Sequence, residues 1–302
     1  MRIMITGGTG LIGGAVAREM GEAGHEVVVL TRDPSRVKAL PPNTRAVRWD
    51  GRTAGEWGAL LDGDTAIVHL AGESVADGRW TEERKRRIRD SRIQSGEAVL
   101  AAIRQAKTPP RALLQGSAVG YYGDGGDAVL TEASPAGSDF LARTCVDWEA
   151  STAAVAELGV RRPVLRTGVV LSAEGGALPK MALPFRFLAG GPLAGGRQWF
   201  PWIHLADEVG AIRFLIEHPA ADGPFNLTAP EPLTNRDFSR ELGRALHRPS
   251  FAPTPGFALR FLLGEMADAL LHGQRAVPER LVALGYRFRF PEAGGALRDL
   301  LG

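Results

Sequence analysis

The sequence predicts an α/β protein: a doubly wound parallel sheet with a smaller C-terminal unit beside it. Three observations carry that reading. Up to about residue 172, short apolar runs alternate with helix-period segments, as in a parallel sheet covered on both faces. A glycine-rich turn, TGGTGLIG at 6–13, directly follows the first apolar run. Beyond about residue 172 the alternation breaks down, and Gly, Pro and aromatic residues take over.

Taken in order, RIMIT reads as a buried strand and 11–23 as a helix stopped by Gly24. HEVVVLTR, NTRAVRWD and DTAIVHLAG follow as the second, third and fourth strands. Ile88, Ile93, Val99, Leu100 and Ile103 recur at helical spacing within 81–106. RALLQGSAV is a fifth strand, 141–158 a helix and RRPVLRTGVVL a sixth strand. The stretch 173–202 reads as irregular, with a short helix near 180–189. Then come a helix at 205–217, a strand and turn at GPFNLTAP, and a helix at 234–246 with Asn235 as its N-cap. Helices at 257–272 and 278–285 and a strand at YRFRF close the chain. Residues 1–172 thus form the first domain, with 203–227 rejoining it, and 173–202 and 228–302 form the smaller one.

Composition sets limits. The 36 basic and 34 acidic residues nearly cancel, so overall charge offers no attraction to nucleic acid or an anionic membrane. No run approaches the ~18 apolar residues of a membrane span, and the N-terminus runs straight into a strand rather than a secretory leader. Cys145 is the only cysteine, which fits a reducing compartment, and the expectation is a cytoplasmic protein. The chain is expected to work as a monomer or homodimer on a small-molecule substrate.

A strand, a glycine-rich turn and a helix together form a site for a dinucleotide pyrophosphate. The first glycine makes the turn, the second admits the phosphates, the third lets helix and strand pack, and the helix N-terminus faces the anion. Here the glycines are Gly7, Gly10 and Gly13, with Thr9, Leu11 and Ile12 completing the turn. The expected fold is therefore Rossmann-like. An acidic residue at the end of the second strand would bind an adenosine 2′-hydroxyl. This chain has Thr31 and Arg32 there, with Arg36 one turn on, and guanidinium groups complement a 2′-phosphate. The reading favours NADP(H) over NAD.

TGGTGLIG, HLAG (69–72), GSAVGYYG (116–123), LRTGVVL (165–171) and WIHLAD (202–207) together resemble the extended, epimerase-type short-chain dehydrogenase/reductases. HLAGES, GGPLAGGRQWFPWIH, FNLTAPEPLTN and GYRFRFPEAGGAL resemble more narrowly its epimerase-like subfamily with a C-terminal domain of unknown function. The resemblance spans essentially the whole chain. It implies that Leu70, Ala71, Gly72, Arg92 and Val170 also contact the cofactor.

The resemblance also implies a Tyr and a Lys four apart on one helix, but the chain has no Tyr-x-x-x-Lys. The matching helix reads DFLARTCVDWEAS, with Leu141 at the Tyr position and Cys145 at the Lys position. Lysine is scarce altogether: Lys38, Lys85, Lys107 and Lys180 are the full set. Ser117 fits the substrate-orienting Ser, and Tyr121 and Tyr122 on the following loop are candidate proton donors beside a nicotinamide. Cys145 reads as inert core, and His204 and Asp207 as structural, with Asp207 capping the next helix. The six histidines show no ligand spacing, so no metal is expected.

Three functions follow. The first is an NADP(H)-dependent oxidoreductase, its substrate held between the sheet's carboxyl edge and Trp199-Phe200-Pro201-Trp202 with the C-terminal domain. The second is an NADP(H)-binding scaffold or redox sensor without turnover, which the missing Tyr–Lys pair favours. Sugar-nucleotide epimerisation is the third, and it needs a competent base that the motif does not supply.

Overall fold

A computed structural model describes residues 1–37 and 39–302. Seven parallel strands form the central sheet: β1 (Arg2–Thr6), β2 (Glu26–Thr31), β3 (Thr44–Arg48), β4 (Thr65–His69), β5 (Ala112–Ala118), β6 (Pro163–Thr167) and β7 (Gly223–Leu227). Their order is β7-β6-β5-β4-β1-β2-β3, reversing direction between β1 and β4. Strand alternation explains why both faces are covered. Ile3, Ile5, Val27, Val29, Ala66, Val68, Ala112 and Leu114 enter one core with helices α1 (Leu11–Glu22) and, past further helices, Leu205–Glu217. Met4, Val28, Leu30, Ile67 and Leu113 enter the other, with α2 (Glu82–Gln105).

Helix α3 (Phe140–Ser151) packs beside α2 and is capped by Asp139, whose Oδ1 accepts from Ala142 N at 2.8 Å. The expected continuous helix 141–158 breaks at Thr152 and goes on as a 3-10 turn, Ala153–Leu158. Thr152 is fully buried and donates to Gln115 Oε1 at 2.7 Å. The expected sixth strand also breaks, at Gly168. A Cβ there would lie 2.9 Å from the Pro201 carbonyl oxygen. The chain leaves the sheet, and Val169–Leu171 pairs instead with Trp202–His204.

The C-terminal unit has its own core of Leu171, Leu178, Phe185, Trp202, Phe238, Leu242 and Leu297. It contains α4 (Leu178–Arg186), α6 (Asn235–Ala245), α7 (Gly256–Leu263) and α8 (Ala293–Leu301), while α5 (Leu205–Glu217) lies on the sheet against α1. Thr234, not Asn235, caps α6: its Oγ1 accepts from Asp237 N at 3.2 Å, and Asn235 Oδ1 instead accepts from Leu193 N. The expected helix 257–272 is interrupted at Gly264, whose φ is +62°. Among the described residues no helix is long and apolar enough to cross a membrane.

YRFRF is not a strand. The Arg289 and Phe290 amides donate to the Asp207 carboxylate at 2.8 and 2.9 Å, and the Tyr286 hydroxyl donates to it as well. Side-chain capture thus replaces a ladder, and α8 follows, a helix that the sequence reading did not anticipate. Asp207 does not cap α5. His204 does, its Nδ1 accepting from Ala206 N at 3.0 Å, while its ring stacks on Phe290. Because Asp207 is fully buried, Asp207→Ala leaves two partly buried amides without their acceptor and is expected to cost about 2–4 kcal/mol. Urea unfolding measures this; a loss below about 1 kcal/mol means the tail is held by packing alone.

Candidate functional site

The sheet ends at one carboxyl edge, and the glycine turn lies at its centre between β1 and α1. Gly7 adopts φ +71°, and a Cβ on it would lie 2.9 Å from the Leu70 carbonyl oxygen. A Cβ on Gly13 would overlap the Gly7 carbonyl, so the third glycine serves helix–strand contact. Gly10 is different: the nearest atom to a Cβ there is Gly7 O at 3.3 Å, and its outer side is open. Helix α1 begins at Leu11 with no side chain capping its amides. Uncapped amides above a side-chain-free cradle suit a phosphate. A Cβ on Gly176, in the turn after Val169–Leu171, would lie 3.1 Å from Leu11 Cδ2, and Ile12, Leu70 and Val170 pack against one core.

Thr6 fixes the neighbouring strand end. Its Oγ1 accepts from the Leu70 and Ala71 amides, both at 3.1 Å, and lies 2.8 Å from His69 Nδ1. His69 is fully buried; burial, with the positive charge of Arg92 adding, pushes it down to about 3, so it is neutral. Its Nε2 accepts from the Trp148 indole at 3.3 Å, which puts the ring proton on Nδ1, facing Thr6. Arg92 lies against Gly72, donates from Nη1 to the Glu73 and Ile88 carbonyls, and sits 5.0 Å from the Trp148 ring centroid. At the end of β2, Thr31 is followed by exposed Arg32. Arg36 pairs with Asp33 at 3.3 Å, while Asp33 accepts from the Ser35 amide and hydroxyl.

A second row of groups follows from strand register. Ser117 on β5 faces Arg166 on β6, which faces Asn226 on β7. Glu149 from α3 completes the row. It receives both Arg166 Nε and Nη2 at 3.0 Å and the Ser117 hydroxyl at 2.6 Å. Tyr122 donates to Asn226 Oδ1 at 2.7 Å and accepts from Arg166 Nη1 at 3.1 Å. Burial alone would depress Arg166, but Glu149 and Tyr122 hold it firmly protonated. Burial raises Tyr122 above the usual phenol range.

Ser117 and Tyr122, read from sequence as catalytic groups, therefore have their hydroxyl hydrogens placed within the protein. Tyr121 does not. Its ring lies 3.4 Å from the Arg166 guanidinium carbon and edge-on to Tyr122, and its hydroxyl forms no hydrogen bond with a described residue. Cys145 is buried, and burial, with Glu149 adding, pushes its thiol up to about 11, so it is inert at neutral pH. Trp199 carries the Arg275 guanidinium 4.4 Å from its ring and donates to Asp127. Among the described residues no three His, Cys, Asp or Glu form a metal-binding group.

Sequence reading passed over Thr6, Arg166, Asn226 and Glu208. Glu208 on α5 is fully buried, accepts from the Thr167 hydroxyl at 2.9 Å and is pushed up to about 8 by burial. The signal available was a charged residue inside an otherwise apolar run, LRTGVVL for Arg166 and EVGAI for Glu208.

Several known proteins are similar. Residues 3–228 match the NAD dependent epimerase/dehydratase family, and residues 254–300 match a domain of unknown function, DUF1731. The epimerase family protein YfhF of Bacillus subtilis is 38% identical over 302 residues, covering 100% of this chain and 98% of that protein. A chloroplastic SDR39U1 homologue from Arabidopsis thaliana is 39% identical over 303 residues, covering 100% of this chain and 87% of that protein. The crystal structure of human epimerase family protein SDR39U1 with NADPH superposes with a TM-score of 0.89 at 35% identity, covering 100% of this chain and 99% of that one.

Glu208 yields a pH prediction. Its folded-state value near 8 stands above the ordinary 4.5, so the native state holds the proton more tightly. That contribution is complete below about pH 4.5 and lost as the pH rises through about 8. Urea titrations are expected to show the wild-type curve falling relative to that of Glu208→Gln by a few kcal/mol across this window, the opposing titration of buried His69 being common to both proteins and cancelling in the difference. Parallel curves would mean that Glu208 titrates normally.

Proposed function

This chain belongs to the NAD dependent epimerase/dehydratase family, and we propose that it is an NADP(H)-dependent oxidoreductase of the atypical short-chain type acting on a small molecule. The uncapped glycine cradle carries the cofactor half of this reading. The amides of Leu11, Ile12 and Gly13 face the pyrophosphate across Gly10, with Thr9 in the turn. Arg32, exposed at the end of β2, takes the 2′-phosphate with Thr31, and Arg36 serves once released from Asp33. Leu70, Ala71, Gly72, Arg92 and Val170 line the wall beside it. NADPH is bound by the human relative, which supports the same choice here. The lone buried Cys145 suits a cytoplasmic setting.

When bound, the nicotinamide supplies or accepts hydride. The protein's own part is the proton. Tyr121 is the phenol with a hydrogen to give, held by the Arg166 cation across its ring. Ser117 and Tyr122 act through Glu149, Arg166 and Asn226 as positioning groups rather than donors. The cost of this arrangement is that no lysine stands beside the phenol. A scaffold or sensor without turnover is the second reading, supported by those two committed hydroxyls.

Two measurements test the cofactor. NADPH is expected to raise the melting temperature more than NADH, and Arg32→Asp to reverse the order; equal responses remove the NADP(H) assignment. Gly10→Ala is expected to leave the free protein's stability near wild type and weaken NADPH at least about tenfold, because its Cβ meets little but the ligand space. For the chemistry, a screen of aldehydes, ketones and quinones for NADPH oxidation compares wild type with Tyr121→Phe. A loss of roughly 10²-fold or more is expected, with NADPH affinity unchanged. Turnover that survives the substitution moves the proton donor elsewhere; no turnover with any substrate favours the sensor.

A further inference from the structure

Eight of the twelve large apolar side chains exposed among the described residues lie within 183–188 and 251–270, in the C-terminal unit. Phe187, Phe257 and Phe261 are 75%, 78% and 79% exposed, Leu188 and Leu262 directly follow two of them in sequence, and Phe251 is exposed as well. The two segments adjoin in space: Phe251 N donates to Gly190 O at 3.1 Å, and Leu193 bridges to Thr254. Only Leu259 of helix α7 is buried, although most of GFALRFLL is apolar. The exposure is not that of a loose tail. Arg79 Nη2 donates to the Phe261 carbonyl at 3.0 Å, and Lys85 pairs with Glu265 at 2.8 Å.

The surrounding charge is one-sided. Asp237, Glu241, Glu265 and Asp268, the acidic residues of 237–268, are already paired with Arg240, Arg244, Lys85 and Arg260. Lys180, Arg186, His247 and Arg248 are exposed on the same unit and form no ion pair with a described residue. Gly243 lies against the Arg248 backbone and Ser250, and the chain passes from Arg248 straight to exposed Phe251, so the basic end of α6 adjoins the apolar face. Two such faces brought together would set like charges against each other. A flat anionic surface with an apolar interior satisfies both features, since protruding Phe and Leu bury in the acyl boundary while the cations meet headgroups.

We propose that α7, the end of α4 and the adjoining 251–254 segment form a peripheral docking face for an anionic lipid bilayer. This is surface attachment, distinct from a spanning segment, and the near-neutral overall charge conceals it.

The test uses the full chain in flotation with vesicles of phosphatidylcholine alone or with about one-third phosphatidylglycerol. Expected are binding to the anionic vesicles only, release as salt is raised, and a loss of at least about tenfold in partition for Phe187→Ser/Phe257→Ser/Phe261→Ser. Lys180→Ala/Arg186→Ala/Arg248→Ala is expected to weaken binding comparably. All six side chains are exposed, and unchanged melting temperatures check that both variants fold. Any of three results overturns the proposal: no binding at low salt, binding that survives the Phe substitutions, or a Phe-dependent dimer in lipid-free sedimentation, which would assign the face to a second copy.

Discussion

The Arg166–Glu149 pair organises the centre of this molecule. Arg166 is 4% exposed, and its guanidinium is met from α3 by Glu149, which also takes the Ser117 hydroxyl of β5, from the turn after β5 by Tyr121 and Tyr122, and by the Glu132 carbonyl. A buried ion pair is weak evidence for stability, because desolvation offsets the attraction, but breaking one partner leaves an uncompensated charge. Its value here is geometric. The bidentate fork fixes the α3 helix against the sheet, and parallel register then puts Ser117, Arg166 and Asn226 in one row on that face. The next row, Ala118, Thr167 and Leu227, must face the other way. Thr167 accordingly meets Glu208 on α5.

The first domain was legible because its signals are local. Strand runs, the Gly24 stop and the glycine turn each declare themselves within a few residues, and the alternation fixes the layer order. The seven-stranded parallel sheet agrees with that expectation. The failures share one cause, a long-range partner that overrides local preference. Thr152 breaks a helix to reach Gln115, Gly168 ends a strand because Pro201 passes close, and Asp207 takes amides that a strand at 286–290 would have used. YRFRF has ideal strand composition, yet its partner is a carboxylate about eighty residues earlier in the chain, which no window of sequence reveals.

Within the site, residue type was readable and commitment was not. A hydroxyl at the end of β5 looks the same in sequence whether it faces substrate or Glu149. Only the packing of α3 against β5 shows that Ser117 and Glu149 meet. Tyr121 and Tyr122 are adjacent and chemically identical, and an 84° difference in ring orientation separates the free phenol from the bound one.

Helix α3 holds its place on the sheet without the Tyr–Lys pair that the resemblance implies. Leu141, Cys145 and Glu149 are spaced four apart, so they share the face turned to the sheet. Leu141 meets Gly120, Cys145 is buried, and Glu149 receives Ser117 and Arg166. That face now works by packing and by one ion pair, and a lysine at the Cys145 position would have to share a buried pocket with the charge of Arg92. The positive charge in this region instead comes from Arg92 on α2 and Arg166 on β6. The two cations hold opposite sides of the site: one rests against Gly72 beside the glycine cradle, the other lies under the Tyr121 ring. Helix α3 is the wall against which both are set, through Trp148 and Glu149.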